Sequence, residues 1–193
     1  MLTLQILSAI LLLLNKYFVF KRKTIGWTFG IWGTIAITIY FYLQMILENR
    51  GNLWIMIVFD LAMIFLMIYG YLVSVSDNNT HLAEIFKKHS LLFKVVIVSI
   101  TFILCFGLLI QAINTNLVII QFISVVGGLV GTLLLAFNKR ISSIAGWVFY
   151  FFTHLIVVYL MLETGSPWIA TCQVLSAIIS IAGFKKELHN RAP

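Results

Sequence analysis

Residues 25–47 read IGWTFGIWGTIAITIYFYLQMIL, a run of 23 residues without a charged side chain. A helix needs about 20 mostly apolar residues to cross the hydrocarbon core of a bilayer, so this run is long enough. Only helices and closed barrels satisfy their backbone groups in lipid, and the run lacks the apolar–polar alternation of a barrel strand. The stretch therefore predicts a transmembrane helix.

Runs of the same kind fill the rest of the chain. The 193 residues are 62% hydrophobic and 10% charged, whereas an ordinary soluble domain is about 25% charged. This composition argues against a soluble enzyme, a disordered regulator and a nucleic-acid-binding domain. We expect an all-α integral membrane protein, a single transmembrane domain over residues 1–193. Seven apolar segments are predicted to be its transmembrane helices: 2–19, 25–47, 53–75, 91–113, 117–137, 144–162 and 168–184.

The basic residues follow the connections between these segments. All of the 13 Lys and Arg residues except Arg50 belong to the first, third and fifth connections, their flanks, and the C-terminal tail, with Lys16 counted in the first. Because cytoplasmic loops carry an excess of Lys and Arg, this separation predicts an outside N-terminus and a cytoplasmic C-terminus. The net charge of +7 is then a sign of orientation in the membrane. The expected partners are the lipid bilayer and a small-molecule substrate, and no nucleic acid.

Short anchors recur in the same order in the two halves of the chain. Because three crossings are an odd number, a fourth segment must return the chain before a second triplet can run parallel to the first. We therefore interpret 1–75 as one three-helix repeat, 76–116 as a cytoplasmic loop with a linker helix, and 117–193 as a second repeat with a short tail; chance similarity between Leu-rich helices is the alternative. The paired anchors are Asn15-Lys16 with Asn138-Lys139, Gly26-Trp27 with Gly146-Trp147, Glu48 and Trp54 with Glu163 and Trp168, and Gly70 with Gly183.

Several motifs are similar to those of PnuC-type vitamin transporters, which share this three-plus-one-plus-three arrangement with SWEET-type sugar carriers. Residues 26–30 (GWTFG) resemble the Trp-x-x-Gly start of the second PnuC helix, and residues 68–71 (IYGY) look like the Tyr-Gly-Trp end of the third. Residues 138–140 (NKR), followed by Trp147, resemble the basic loop before the Trp-x-x-Trp helix. The resemblance implies transport of nicotinamide riboside by facilitated diffusion, and a homotrimer. Three positions depart from the family pattern: Tyr150 replaces the second Trp, His154 an Asp, and Asp60 a Gln.

Asp60 is the one acidic residue deep in a predicted span. Such residues usually face the interior of a helix bundle and mark a solute or proton pathway. Asp60 is thus predicted to bind substrate or couple a proton, and an interhelical hydrogen bond that fixes packing is the alternative. Aligning Gly70 with Gly183 pairs Asp60 with Gln173, ten residues before the glycine in both cases. Gln173 is therefore a second candidate at the same depth.

Aromatic residues supply the remaining candidates. Trp147, Tyr150 and His154 lie at i, i+3 and i+7, so one helix face could stack on a flat heterocycle and hydrogen-bond to its edge. The alternatives are an interfacial belt role for Trp147 and a buried neutral imidazole for His154. Trp32 is a weaker stacking candidate and Gln121 a candidate contact near the outer side.

These patterns predict a transporter rather than an enzyme. The sequence has no phosphate-binding loop, no clustered His and Cys ligands and no Ser-His-Asp set, so we expect no catalytic residues, no metal and no cofactor. The expected function is alternating-access transport of a small vitamin-like solute, such as nicotinamide riboside or a related nucleoside. A SWEET-type sugar carrier and a non-transporting membrane assembly protein are the alternatives.

Overall fold

The computed structural model describes residues 2–47, 54–76, 116–137, 139–163 and 165–189. Six α-helices make up these residues, and their bounds lie close to six of the seven predicted apolar segments. The remaining predicted helix, 91–113, lies outside the described residues. The helices are α1 (Leu2–Phe20), α2 (Ile25–Leu47), α3 (Trp54–Ser76), α4 (Asn116–Ala136), α5 (Arg140–Glu163) and α6 (Pro167–His189).

The protein is all-helical over these residues, and five of its helices are long and apolar enough to span a membrane. In α4 the shorter stretch Phe122–Ala136 is similarly apolar. Large apolar side chains also cover the outer surface, including Phe65 and Phe152. A soluble protein rarely exposes so much contiguous apolar area. The fold is therefore compatible with a multi-pass membrane protein.

Two helix ends have the same hydrogen-bonded cap. After α1, the Lys23 N–H donates to the Phe18 carbonyl over 2.9 Å, and Arg22 takes the left-handed φ of 55° between them. After α5, the Ser166 N–H donates to the Met161 carbonyl over 2.8 Å, with Gly165 at φ 69°. This is the Schellman pattern, which satisfies the last carbonyls of a helix and turns the chain sharply. It ends the helices at two of the predicted polar breaks.

The six described helices form a closed ring. Along the chain α1 packs on α2 and α2 on α3, and likewise α4 packs on α5 and α5 on α6. Contacts between α1 and α6 and between α3 and α4 then join the two groups of three. The interior of the ring holds two clusters of buried apolar side chains, one around Trp27 and Trp147 and one around Tyr40 and Leu160.

Basic groups from distant parts of the chain meet at one end of this ring. The Arg22 guanidinium forms a 2.7 Å ion pair with the buried Glu187 carboxylate, and the Lys186 ammonium donates to the Phe20 carbonyl over 2.8 Å. Arg140 Nε donates to the Glu187 carbonyl over 3.1 Å. The first connection, the start of α5 and the end of α6 therefore lie together, as the charge pattern predicted.

Lys16 requires a correction. Its charge is counted with the basic first connection, but the residue lies inside α1, as the predicted segment 2–19 has it, about one turn before the helix ends. Its side chain is only 6% exposed. Counting its charge with the loop was wrong. Lys16 precedes three basic loop residues in the sequence, but the rotation of α1 turns its side chain toward the inside of the bundle. A count of charges along the chain does not show that rotation.

Candidate functional site

A cavity of about 120 Å³ lies inside the ring and is lined by side chains from all six described helices. It contacts both apolar clusters, and just over half of its lining residues are Leu, Ile, Val, Met or Phe. Polar groups set among apolar side chains in a cavity are typical of a site that binds and orients a small solute. The polar lining residues are Lys16, Thr34, Asp60, Ser124, Tyr150, Thr153, His154, Gln173 and Ser176.

His154 of α5 and Gln173 of α6 are joined directly in the wall. His154 Nδ1 lies 2.5 Å from Gln173 Oε1. Because a carbonyl oxygen only accepts, Nδ1 carries the proton and Nε2 is left as an acceptor. Nε2 is buried and has no hydrogen-bond partner among the described residues. The imidazole thus has an unused acceptor, and a buried acceptor of this kind favours a ligand with an O–H or N–H group.

Asp60 of α3 is 6% exposed and lines the same cavity. The Thr38 hydroxyl lies 3.3 Å from Asp60 Oδ2, but the same hydroxyl lies 2.7 Å from the Thr34 carbonyl. One hydroxyl has a single proton, and the shorter contact takes most of it. The Asp60 carboxyl group therefore retains hydrogen-bonding capacity for a solute.

Tyr150 stands between two other polar groups of the cavity. The Lys16 ammonium lies 3.3 Å from the centre of the Tyr150 ring, which is a close cation–π contact. The His154 ring stacks on Tyr150 at a centroid distance of 5.3 Å and an angle of 9°. The Tyr150 hydroxyl lies 2.5 Å from Thr132 Oγ1, whose own proton goes to the Gly128 carbonyl over 2.8 Å. These contacts hold Tyr150 in place and leave the ammonium facing the cavity.

Two predicted tryptophans do not line the cavity. Trp147 is buried but packs on α6, where a Cβ built on Gly183 would lie 2.4 Å from its ring. Trp32 is 60% exposed on the outside of the bundle. The structure therefore does not bring Trp32 together with the other candidate residues. Gln121 belongs to α4, but its side chain is outside the part of the chain that the structure describes.

The cavity is lined by matching positions of the two halves. On α2 and α5 these positions lie seven, ten and fourteen residues after Trp27 and Trp147. On α3 and α6 they lie fourteen, ten and seven residues before Gly70 and Gly183. The predicted pairing of Asp60 with Gln173 is one of six such pairs. The others are Thr34 with His154, Ile37 with Val157, Phe41 with Met161, Met56 with Ile169 and Met63 with Ser176.

The packing contacts repeat in the same way. A Cβ on Gly70 would lie 2.7 Å from the Trp27 ring, as one on Gly183 would press on Trp147. Both contacts join residues that belong to the paired anchors of the predicted repeat. In each half, the Trp that opens the middle helix therefore packs on a Gly near the end of the third.

The first helices of the two halves match in a different register from the one predicted. Val19 packs against Gly26, and Leu135 packs against the aligned Gly146. This places Leu135, and not a residue about two turns later, opposite Val19. The match of Asn15 with Asn138 is therefore wrong, and the counterpart of Asn15 is Gly131. The two Asn-Lys pairs are identical in sequence, but they occupy different positions relative to the Gly-Trp that follows each of them.

Comparison with family models, with curated proteins and with solved structures returned no match for this chain. Within the described residues there is also no group of three His, Cys, Asp or Glu side chains that could hold a metal ion. A functional assignment therefore depends on the cavity and its lining.

Proposed function

We propose that this chain is a transporter of the bacterial inner membrane that carries a small vitamin-like solute, with nicotinamide riboside or a related nucleoside as the leading candidate. The observation that carries the proposal is the central cavity, whose lining includes matching positions of α2 with α5 and of α3 with α6. Duplicated carriers of this kind place their substrate between the repeats, near the bilayer midplane. The proposal adds residues 91–113 as a seventh, linker helix between two parallel triplets, with an outside N-terminus and a cytoplasmic C-terminus.

The cavity offers hydrogen-bonding groups suited to such a solute. His154 Nε2 and the Asp60 carboxyl group can accept from ribose hydroxyls, while the Gln173 amide nitrogen can donate to a carbonyl. Apolar side chains such as Phe41 and Met161 surround these groups and can pack on a flat ring. Buried polar groups placed in an apolar wall give specificity because a solute that leaves them unpaired pays their desolvation.

Transport requires the cavity to widen and to open alternately to each side. Its volume of about 120 Å³ is below the roughly 300–1,000 Å³ of sites that enclose drug-sized ligands. The contacts that join the two triplets, α1 with α6 and α3 with α4, are where rocking would separate them. We propose that this rocking gives facilitated diffusion, and proton coupling through Asp60 is the alternative.

Polar latches at opposite ends of α1 suit this mechanism. At its start, Gln5 Nε2 donates to the Tyr40 hydroxyl over 2.5 Å and to Ser166 Oγ over 3.2 Å. After its end, Arg22 pairs with Glu187. Each latch links the first group of helices to the second, so opening toward one side needs one latch to break while the other holds.

Uptake into proteoliposomes tests the proposal. Labelled nicotinamide riboside and thiamine would be supplied to vesicles containing the wild-type protein, Asp60→Asn or His154→Ala. We expect wild-type uptake of at least one of these compounds and a loss of about tenfold or more in each variant, because a buried partner of the solute is removed. Phe65→Ala is the matched control, since Phe65 also belongs to α3 but is 55% exposed on the outside.

Other outcomes would separate the alternatives. Competition by free sugars and not by nucleosides would favour a SWEET-type carrier. Folded protein that takes up none of these compounds and tolerates substitution at Asp60, His154 and Gln173 would contradict transport and favour a membrane assembly role. The homotrimer implied by the PnuC resemblance is tested separately, by the mass of the purified protein in detergent.

A further inference from the structure

Two ionisable side chains of opposite type, one basic and one acidic, line the central cavity at separate positions. Lys16 extends from α1 and Asp60 from α3, and each is 6% exposed. Among the described residues the structure has one ion pair, between Arg22 and Glu187. The Lys16 nitrogen and the Asp60 carboxyl oxygens are therefore not within ion-pair distance of each other. Among the described residues, neither group therefore has an oppositely charged side chain within ion-pair distance.

The Lys16 ammonium has no hydrogen-bond acceptor among the described residues. Its ammonium lies over the Tyr150 ring, and the structure gives it no hydrogen bond with a described residue. An ammonium has three N–H donors. The face of an aromatic ring attracts the positive charge, but it does not supply an acceptor for all three donors. An oxygen-bearing anion in the cavity would take these donors.

The Asp60 carboxyl group has few hydrogen-bond donors around it among the described residues. Its described hydrogen bond is the 3.3 Å contact with Thr38, which is shared with a shorter one. A buried carboxylate is stabilised by a cation or by several donors, and a buried ammonium by an anion. A solute with one charge would compensate one of these groups and leave the other as it is. A solute with both charges would compensate both.

We propose that the cavity selects a zwitterionic solute, whose carboxylate is bound by Lys16 and whose cationic ring or ammonium faces Asp60. This inference rests on the proposed transport function and narrows its substrate class. A pyridinium ring that carries a carboxylate meets the requirement. Its carboxamide counterpart is a net cation and leaves Lys16 without an anion. His154 Nε2 remains available for a hydroxyl of the same solute.

Two matched pairs of compounds test this selection by binding to the purified protein in detergent. One pair is nicotinic acid riboside with nicotinamide riboside, and the smaller pair is N-methylnicotinate with N-methylnicotinamide. Within each pair, the ring and its substituent are constant and the carboxylate is exchanged for a carboxamide. We expect the carboxylate compound of a pair to bind wild type about tenfold more tightly, because a charge-assisted hydrogen bond is gained.

Variants assign the preference to its residues. Lys16→Gln and Lys16→Met remove the charge while keeping an extended side chain, and both are expected to reduce the preference to about twofold or less. Asp60→Asn is expected to weaken both compounds of a pair, because both carry the cationic ring. Lys21→Gln is the control, since Lys21 is an exposed residue of the same basic segment, and it should keep the wild-type preference. Circular dichroism and gel filtration would verify that each variant is folded.

The possible results separate this inference from the proposed function. Equal or tighter binding of the carboxamide compounds, or a carboxylate preference that survives both Lys16 substitutions, overturns the zwitterion inference and leaves transport of a vitamin-like solute standing. Folded wild-type protein that neither binds nor takes up any of the four compounds would overturn the proposed vitamin substrate, and the inference would fall with it.

Discussion

Gly183→Ala tests the packing that repeats in the two halves of the bundle. Gly183 lies in α6 and is buried against the Trp147 indole, which is itself buried. A Cβ at this position would lie 2.4 Å from Trp147 Cε2 and 2.5 Å from Trp147 Cδ2. Carbon atoms in normal contact are about 3.5–4.0 Å apart. The added methyl group therefore overlaps the ring system by about 1 Å, and the ring cannot move freely away.

The net effect is the difference between two opposing contributions. Ala is favoured over Gly in a helix interior by about 0.5–1 kcal/mol. Forcing an extra carbon into a packed interior costs about 1–3 kcal/mol. We therefore expect Gly183→Ala to lower the free energy of unfolding by about 1–2 kcal/mol. Gly70→Ala, where the nearest Trp27 ring atom is 2.7 Å away, should have an effect of the same sign.

Denaturant unfolding in detergent micelles measures this difference. Gly131→Ala is the matched control, because Gly131 is also buried in a helix but its nearest neighbours lie at 3.4 Å. The control should keep the helix-propensity gain and be neutral or slightly stabilised. Combining Gly183→Ala with Trp147→Phe should cost less than the sum of the two single changes, because the smaller ring vacates the space.

The packing argument fails if Gly183→Ala is as stable as Gly131→Ala. It fails equally if the double variant is additive, since the two residues would then not be in contact. A loss of stability in Gly70→Ala without one in Gly183→Ala would contradict the equivalence of the two Trp–Gly pairs.

Three further predictions concern single residues. Gly165→Ala should lower the free energy of unfolding by about 1 kcal/mol through its positive φ alone, since nothing lies within 4 Å of the added carbon; an unchanged unfolding midpoint would contradict this. Tyr150→Phe removes the hydrogen bond to Thr132 and should cost about 1 kcal/mol, and the same change in a Thr132→Val background should cost less. Arg22→Ala removes the ion-pair partner of buried Glu187 and should lower the free energy of unfolding by about 1–2 kcal/mol. This value lies between the effects of breaking a surface ion pair and a buried one. Arg22→Gly should cost less than Arg22→Ala because glycine accepts the left-handed φ; the reverse order of melting temperatures would refute it.

The helices themselves were predictable from the amino-acid sequence. Uncharged runs near membrane length define α2 at residues 25–47, and the other runs agree within a few residues at most ends. The larger differences are at the start of α5, which begins at Arg140 and not at residue 144, and at the end of α6, which continues to His189 and not to residue 184. Both extensions carry basic residues, which continue a helix beyond the apolar run because their side chains can remain in water or headgroups.

The candidate site was predictable only in part. Asp60 was predicted because an acid in an apolar run is expensive and usually faces the interior, and Gln173 because it aligns with Asp60. Tyr150 and His154 were predicted because they share one face of a helix. The structure brings all four side chains to one cavity. Lys16 was missed because a cation next to a basic loop resembles a topology signal.

What the sequence determined by itself is the set of helices, their approximate ends and the grouping of basic residues at one end. What only the tertiary structure decided is which face of each helix points inward. In a soluble protein an apolar stripe marks the buried face, but for a helix in a bilayer the lipid is as apolar as the interior. Trp32 and Lys16 show the consequence, since the large aromatic side chain faces outward and the charged one inward. Close approach at small residues, such as Gly183 against Trp147, selects that rotation, and such contacts exist only once the helices are packed together.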